Sequence, residues 1–201
     1  MANCIMFMSI VFVFAMHRAG VQTEGDLEAV TEFLRQHKAT GGDVQAIADP
    51  ALAKVFPDYA FVVVRYRQYP VARLIPEGFK ASNALALSKE KTVSRFKDVK
   101  EQERFFKEHA ATARTANELK ELLAAWLTLS QEQHQDGFYK FEIREKDFEY
   151  NKERNQVHGR AVVLQGGSGE LAAMLDLEDG KLAKVSEIVK IRPGPRPIGN
   201  R

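Results

Sequence analysis

The segment from Thr115 to Leu127 constrains the fold more than any other stretch of this chain. Leu119, Leu122, Leu123, Trp126 and Leu127 recur at i, i+3, i+4, i+7 and i+8, the stripe of a helix that lays one face on a core. Thr115 and Glu118 stand in front of it at the spacing of a capping box, in which each side chain satisfies the other residue's backbone N–H. Past Gly137 the period changes from helical to two. Phe148 and Tyr150 alternate, then Ala161 and Val163 against Val162 and Leu164, then Leu171, Ala173, Leu175 and Leu177. The run Gly166-Gly167-Ser168-Gly169 turns the chain between two of these strands. Asp179-Gly180 supplies two residues that tolerate positive φ, the mark of a tight hairpin into Ala183, Val185, Val189 and Ile191. A helix with one apolar face, followed by a meander of three or four strands with one apolar face, buries both by packing helix on sheet.

The first half also runs from helix to meander, although no sequence repeat relates the two. Leu27, Val30, Phe33 and Leu34 give a helix from Thr23, with Glu24, Asp26 and Glu28 at its start and Lys38 near its end, as the helix dipole favours. A short second helix is expected from Asp43, with Val44 and Ile47 as its apolar residues. Asp49-Pro50 reads as a cap and first helical residue, leading through Leu52 to Val55, and Pro57 ends that helix. Tyr59 to Tyr69, YAFVVVRYRQY, is rich in β-branched and aromatic residues and predicts a strand. Asn83–Leu87 and Thr92–Phe96 predict a hairpin around Lys89-Glu90-Lys91. Asp98 with Glu101 opens a further helix through Phe105, Phe106 and His109. The expected fold class is therefore α+β, in two helix-plus-antiparallel-sheet units, residues 21–113 and 114–192. A Pro/Arg tail, 193–201, follows, and its alternating prolines are not expected to continue the last strand.

Over residues 114–192 the order and lengths of the elements resemble the cystatin-like and NTF2-like rolls, in which a curved sheet wraps a helix. The resemblance is one of architecture. Among NTF2-like enzymes it implies polar catalytic groups in a cone between helix and sheet, and no motif here fixes which residues would occupy those places.

At 201 residues the chain has enough length for one large or two small domains. Its 29 bases and 27 acids balance to +2, which argues against a dedicated nucleic-acid binder. The one cysteine, Cys4, allows no internal disulfide and no thiolate zinc site. Ile5 to Ala15, IMFMSIVFVFA, is free of charge but would span only about 16 Å as a helix, roughly half a bilayer core. That length suits the apolar region of a secretory signal better than a stable membrane span, although no Lys or Arg precedes the run. Residues 1–20 are accordingly expected to be a signal peptide on an exported chain, periplasmic or secreted. An uncleaved anchor, and a cytoplasmic chain starting at Met16, are the alternatives.

Catalytic motifs are sparse. There is no G-x-S-x-G, no H-E-x-x-H, and no supported S-x-x-K, so acyl transfer and zinc hydrolysis have no signature. No sequence feature calls for a cofactor. The five histidines form no i, i+3 or i, i+4 pair. Glu132, His134 and Asp136 bunch in QEQHQD, where a cation or proton-transfer site competes with an ordinary solvated helix end. His109 reads as a partly buried residue on the Phe105/Phe106 helix.

Charge patterning is more informative. Between Ala60 and Lys100 nine bases face three acids, whereas between Glu142 and Asp179 nine acids face five bases. Arg65 and Arg67 share a strand face with Phe61 and Val63, with Tyr66 beside them and Arg73 beyond. Guanidinium forks in such a row suit a carboxylate, sulfate or phosphate, so Arg65, Arg67, Arg73 and Tyr66 are the candidate site for an anionic ligand or protein partner. The competing expectation is that these arginines pair with the acidic second unit and lock the units together. The functional expectation is an exported, non-enzymatic binding or scaffolding module. A small-molecule-binding or hydrolytic roll, with its pocket between the long helix and the meander, and an envelope structural protein are the alternatives.

Overall fold

A computed structural model describes residues 24–66 and 74–195 of the chain. Its first half orders α1 (Glu24–Gln36), β1 (Asp43–Ala46), α2 (Pro50–Val55), β2 (Tyr59–Arg65), β3 (Ser82–Ser88), β4 (Val93–Arg95) and α3 (Val99–His109). The second half orders α4 (Ala116–Gln133), β5 (Lys140–Ile143), a 3-10 turn (Glu145–Asp147), β6 (Glu149–Asn151), β7 (Gln156–Gln165), β8 (Gly167–Glu178) and β9 (Lys181–Pro193). The fold class is α+β, with two antiparallel sheets.

The helix starts are made by their own sequence. Thr115 Oγ1 accepts from Glu118 N at 3.2 Å while Glu118 Oε2 accepts from Thr115 N at 2.9 Å, closing the capping box of α4. Asp98 accepts from Glu101 N at 2.9 Å at the head of α3. Asp49 accepts from Leu52 N at 3.0 Å, with Pro50 as the first residue of α2.

The N-terminal sheet has the order β1-β2-β3-β4. Asp43 to Ala46 pairs with β2, Val44 opposite Val64, and so is a strand rather than the expected helix. Four residues are too few to recover the nucleation penalty of a helix, whereas β2 offers them a ready ladder. Gly42 permits the close approach, since a Cβ there would sit 2.5 Å from Val64 Cγ1. The strand from Tyr59 ends its ladder at Arg65, and residues 67–73 lie outside the described part.

The C-terminal sheet has five strands, not three or four: β5-β7-β8-β9, with β6 also on β7. β5 and β6 are two halves of one edge. Ile143 stands opposite Ala161 and Glu149 opposite His158, and the 3-10 turn absorbs the extra residues between them. Asp179 and Gly180 turn β8 into β9 with φ of 51° and 76°. β9 continues to Pro193, opposite Gly167, further than the prolines suggest. Proline is tolerated there because it is the last residue of an edge strand.

Two apolar clusters order the layers. On one face of the N-terminal sheet, Val30 and Leu34 of α1 pack against Val62, Val64, Leu85 and Tyr66. From the other face Phe61, Ala84 and Ala86 meet α2 and α4, and the same cluster continues through Leu123 and Trp126 to Val157, Leu171, Ala173 and Leu175 of the C-terminal sheet. Phe105 and Phe106 of α3 close one side in ring contacts with Phe56, Phe61 and Trp126. Gly159 makes room for this packing, because a Cβ there would lie 2.3 Å from the ring of Phe148.

Candidate functional site

Helical spacing distributes the polar residues in the last turns of α4 among three neighbours. Trp126, Ser130 and His134, four apart, face β9; Glu132 faces the N-terminal sheet; Gln133 faces α3. Two carboxylates anchor this arrangement, and their side chains are only 9% and 7% exposed. Glu132 accepts from Arg65 Nη2 at 2.7 Å through one oxygen and from Ser82 Oγ at 2.6 Å through the other. Glu187, pointing inward from β9, accepts from Trp126 Nε1 at 2.6 Å and Ser130 Oγ at 2.5 Å on Oε1. His134 Nε2 lies 3.7 Å from Oε2 of Glu187, and neither atom has a hydrogen-bond partner among the described residues.

Burial pushes the Glu187 carboxyl up, but the His134 ring and the hydroxyl and indole donors outweigh it and hold the group below the ordinary carboxylate range. Ser130 bonds to the carboxylate and not to the imidazole. The order is therefore Ser–Glu–His, with the carboxylate between hydroxyl and ring, unlike a Ser–His–Asp triad in which the ring stands between. What the arrangement does is clamp the end of α4 between the two sheets.

Arg65 continues the Phe61/Val63 row, and that row faces α4. Its Nη1 donates to Gln45 Oε1 at 3.0 Å, so both ends of its fork are engaged within the protein. Of the two expectations for Arg65, pairing with the acidic half describes its environment, and Lys54 with Glu121 forms a second ion pair between the halves. Tyr66 is 2% exposed and donates its hydroxyl to Ala39 O at 2.6 Å, with its ring edge on Phe79, so it belongs to the core beneath α1. Arg67 and Arg73 lie outside the described residues.

Glu132, His134 and Asp136 are not brought together. The first turns to Arg65, the second to Glu187, and Asp136 Oδ1 accepts from Phe138 N at 2.9 Å. Among the described residues no group of three His, Cys, Asp or Glu side chains is placed to hold a metal ion. His109 packs on Tyr59 and Phe105. Glu187 was not legible as a site residue, but it left a signal: an acid two residues from Val185 and two from Val189, in the apolar register of its strand.

A second feature follows from lengths. α4, at 18 residues, is about 27 Å long, whereas β9, at 13 residues, spans about 43 Å. The two start near one end of the sheet, where Ala113 N donates to Gly180 O at 2.8 Å, and the helix ends at Glu187. Val189 and Ile191, on the same strand face as Glu187, therefore run past the helix, and Val189 is 43% exposed. A hollow of about 480 Å³ opens there, lined by Ser168, Gly169 and residues Val189 to Arg192. Lys184, Lys190 and Arg192 are exposed along this strand and form no ion pair among the described residues. Between α4 and the sheet, by contrast, Leu123 and Trp126 are fully buried in the core cluster that reaches Val157, Leu171 and Leu175. No helix among the described residues is long and apolar enough to cross a membrane.

No family model, curated protein or solved structure matches this chain.

Proposed function

We propose that the chain is an exported, non-catalytic binding module for an anionic partner. One observation carries the reading. The acids and hydroxyls around the end of α4 are engaged in holding the sheets together, while β9 carries exposed cations, Lys184, Lys190 and Arg192, that form no ion pair among the described residues. The only acid on that strand, Glu187, is turned inward, so the strand presents positive charge to solvent. Export rests on the uncharged run Ile5–Ala15.

The test is binding of the full chain to polyglutamate and to polylysine as salt is raised. The reading predicts retention by polyglutamate alone, weakening as added salt shortens the screening length below the ~8 Å of physiological conditions. Equal binding to both polymers, or to neither, contradicts it.

A small-molecule site is the second reading, supported by the hollow at Val189 to Arg192. Its volume falls in the range of ligand pockets, about 300–1,000 Å³. A shift of thermal midpoint with small sugars, nucleotides or carboxylates, absent with polyglutamate, would favour it.

A further inference from the structure

We infer that the open half of β9, residues 188–192, is a docking edge for an extended acidic segment of another protein, which joins the C-terminal sheet as a sixth strand. The inference deepens the anionic-partner reading and rests on it. β9 ends the strand order of its sheet, so among the described residues no strand lies beside one side of its backbone. α3 packs against β9, and exposure along the strand marks where cover stops. Leu182 is buried, Val185 through Glu187 are partly buried, and Ile188, Val189 and Lys190 are exposed. Pro193, without an N–H, closes the far end of the stretch. An edge open over a few residues between a helix and a proline fits one short extended peptide.

Charge selects the occupant. Lys190 and Arg192 lie within the open stretch; Arg192 stands opposite Ser168, and Lys190 stands opposite Glu170, whose carboxylate is already engaged by Arg160. A second copy of β9 pairing antiparallel over residues 188–192 would set Lys190 directly opposite Lys190 of the other copy, with Arg192 opposite Ile188, and like charges across a ladder destabilise it. An acidic strand meets the opposite condition. The hollow at Ser168, Gly169, Val189 and Ile191 then receives an apolar side chain from the incoming strand. Alternating acidic and apolar residues, one set toward the cations and one toward the hollow, is the pattern this edge reads.

The experiment measures binding of the full chain to the peptide (Glu-Val)4, to (Lys-Val)4, and to (Glu-Val)4 carrying N-methyl groups on alternate amides. The variant is K190E/R192E, two exposed positions whose change leaves the core intact, checked by an unaltered thermal midpoint. The expected results are binding of (Glu-Val)4 only, loss on N-methylation, and binding about tenfold weaker in the variant. Binding that survives N-methylation overturns strand addition. Binding unchanged in K190E/R192E, or no binding of (Glu-Val)4 while polyglutamate still binds, overturns the edge and leaves the anionic-partner reading standing. Failure of polyglutamate as well removes both. A dimer in sedimentation that (Glu-Val)4 dissociates shows that a second copy is the occupant, and also contradicts the inference.

Discussion

The two sheets of this protein are built alike and used differently. The N-terminal sheet is covered on both faces, by α1 on one and by α2 and α4 on the other, and the burial of β2 and β3 is continuous from Phe61 to Val64 and from Ser82 to Leu87. Among the described residues the C-terminal sheet is covered on one face only. There β7 and β8 alternate, with Val157, Ala161, Leu171, Ala173 and Leu175 buried, while His158 and Arg160 between them face solvent. Two covers demand apolar residues at successive positions, as in FVVV and ALAL; one cover demands them at every second position. A doubly covered sheet has little surface left to offer a partner. The singly covered one, whose last strand outruns its helix, has an open face and an open edge.

The largest effect should separate the two sheets by stability. Leu85 is fully buried in the doubly covered sheet, so Leu85→Ala is expected to lower unfolding free energy by about 2–5 kcal/mol. The urea midpoint reads this directly, and a loss near zero would mean that α1 does not seal that face.

Next comes the joint between the sheets. Arg65→Ala leaves the Glu132 carboxylate, 9% exposed, without its ion partner, and is expected to cost about 1–3 kcal/mol. Glu132→Gln should cost less, because the Arg65 side chain it abandons is 36% exposed and can turn to water. If the two substitutions and their combination simply add, the pair is not coupled and the clamp is lost as an explanation.

Glu187 gives the third test, through pH. Its carboxyl is held below its unfolded value, so its contribution is present above the unfolded carboxylate range, about 4.3, and disappears as pH falls through the lower folded value. Stability of the wild-type chain should fall with acid over that window, and Glu187→Gln should flatten the fall. An unchanged acid limb would contradict the environment described for it. The smallest effect belongs to the open face. Ile188 is 57% exposed, and Ile188→Ala should change stability by no more than about 0.5 kcal/mol.

What the sequence could disclose follows the range of each signal. Caps and turns are local, so Thr115/Glu118, Asp98/Glu101 and Asp179-Gly180 were legible and formed as read. Asp43 to Ala46 carries almost no strand signal of its own. β1 exists because β2, some twenty residues later, gives it a partner, and local pattern cannot contain that. β5 and β6 are exposed edge pieces, KFEI and EYN, with little burial to impose a period. Alternation did put Arg65 on the face of Phe61 and Val63. Whether solvent or a helix lies across that face is a tertiary fact, and the same gap hid the burial of Tyr66 beneath α1. Glu187 was hidden by the habit of reading a charged strand residue as solvent-facing, although its place between Val185 and Val189 already set it on the inner face.

The most direct test of a covered sheet beside an open one is amide hydrogen exchange of the full chain, with and without (Glu-Val)4. The account predicts that the peptide slows exchange at residues 188–192 and leaves β1 to β4 unchanged. Slowing around Arg65 and Ser82, with none on β9, would return the site to the N-terminal sheet and contradict it.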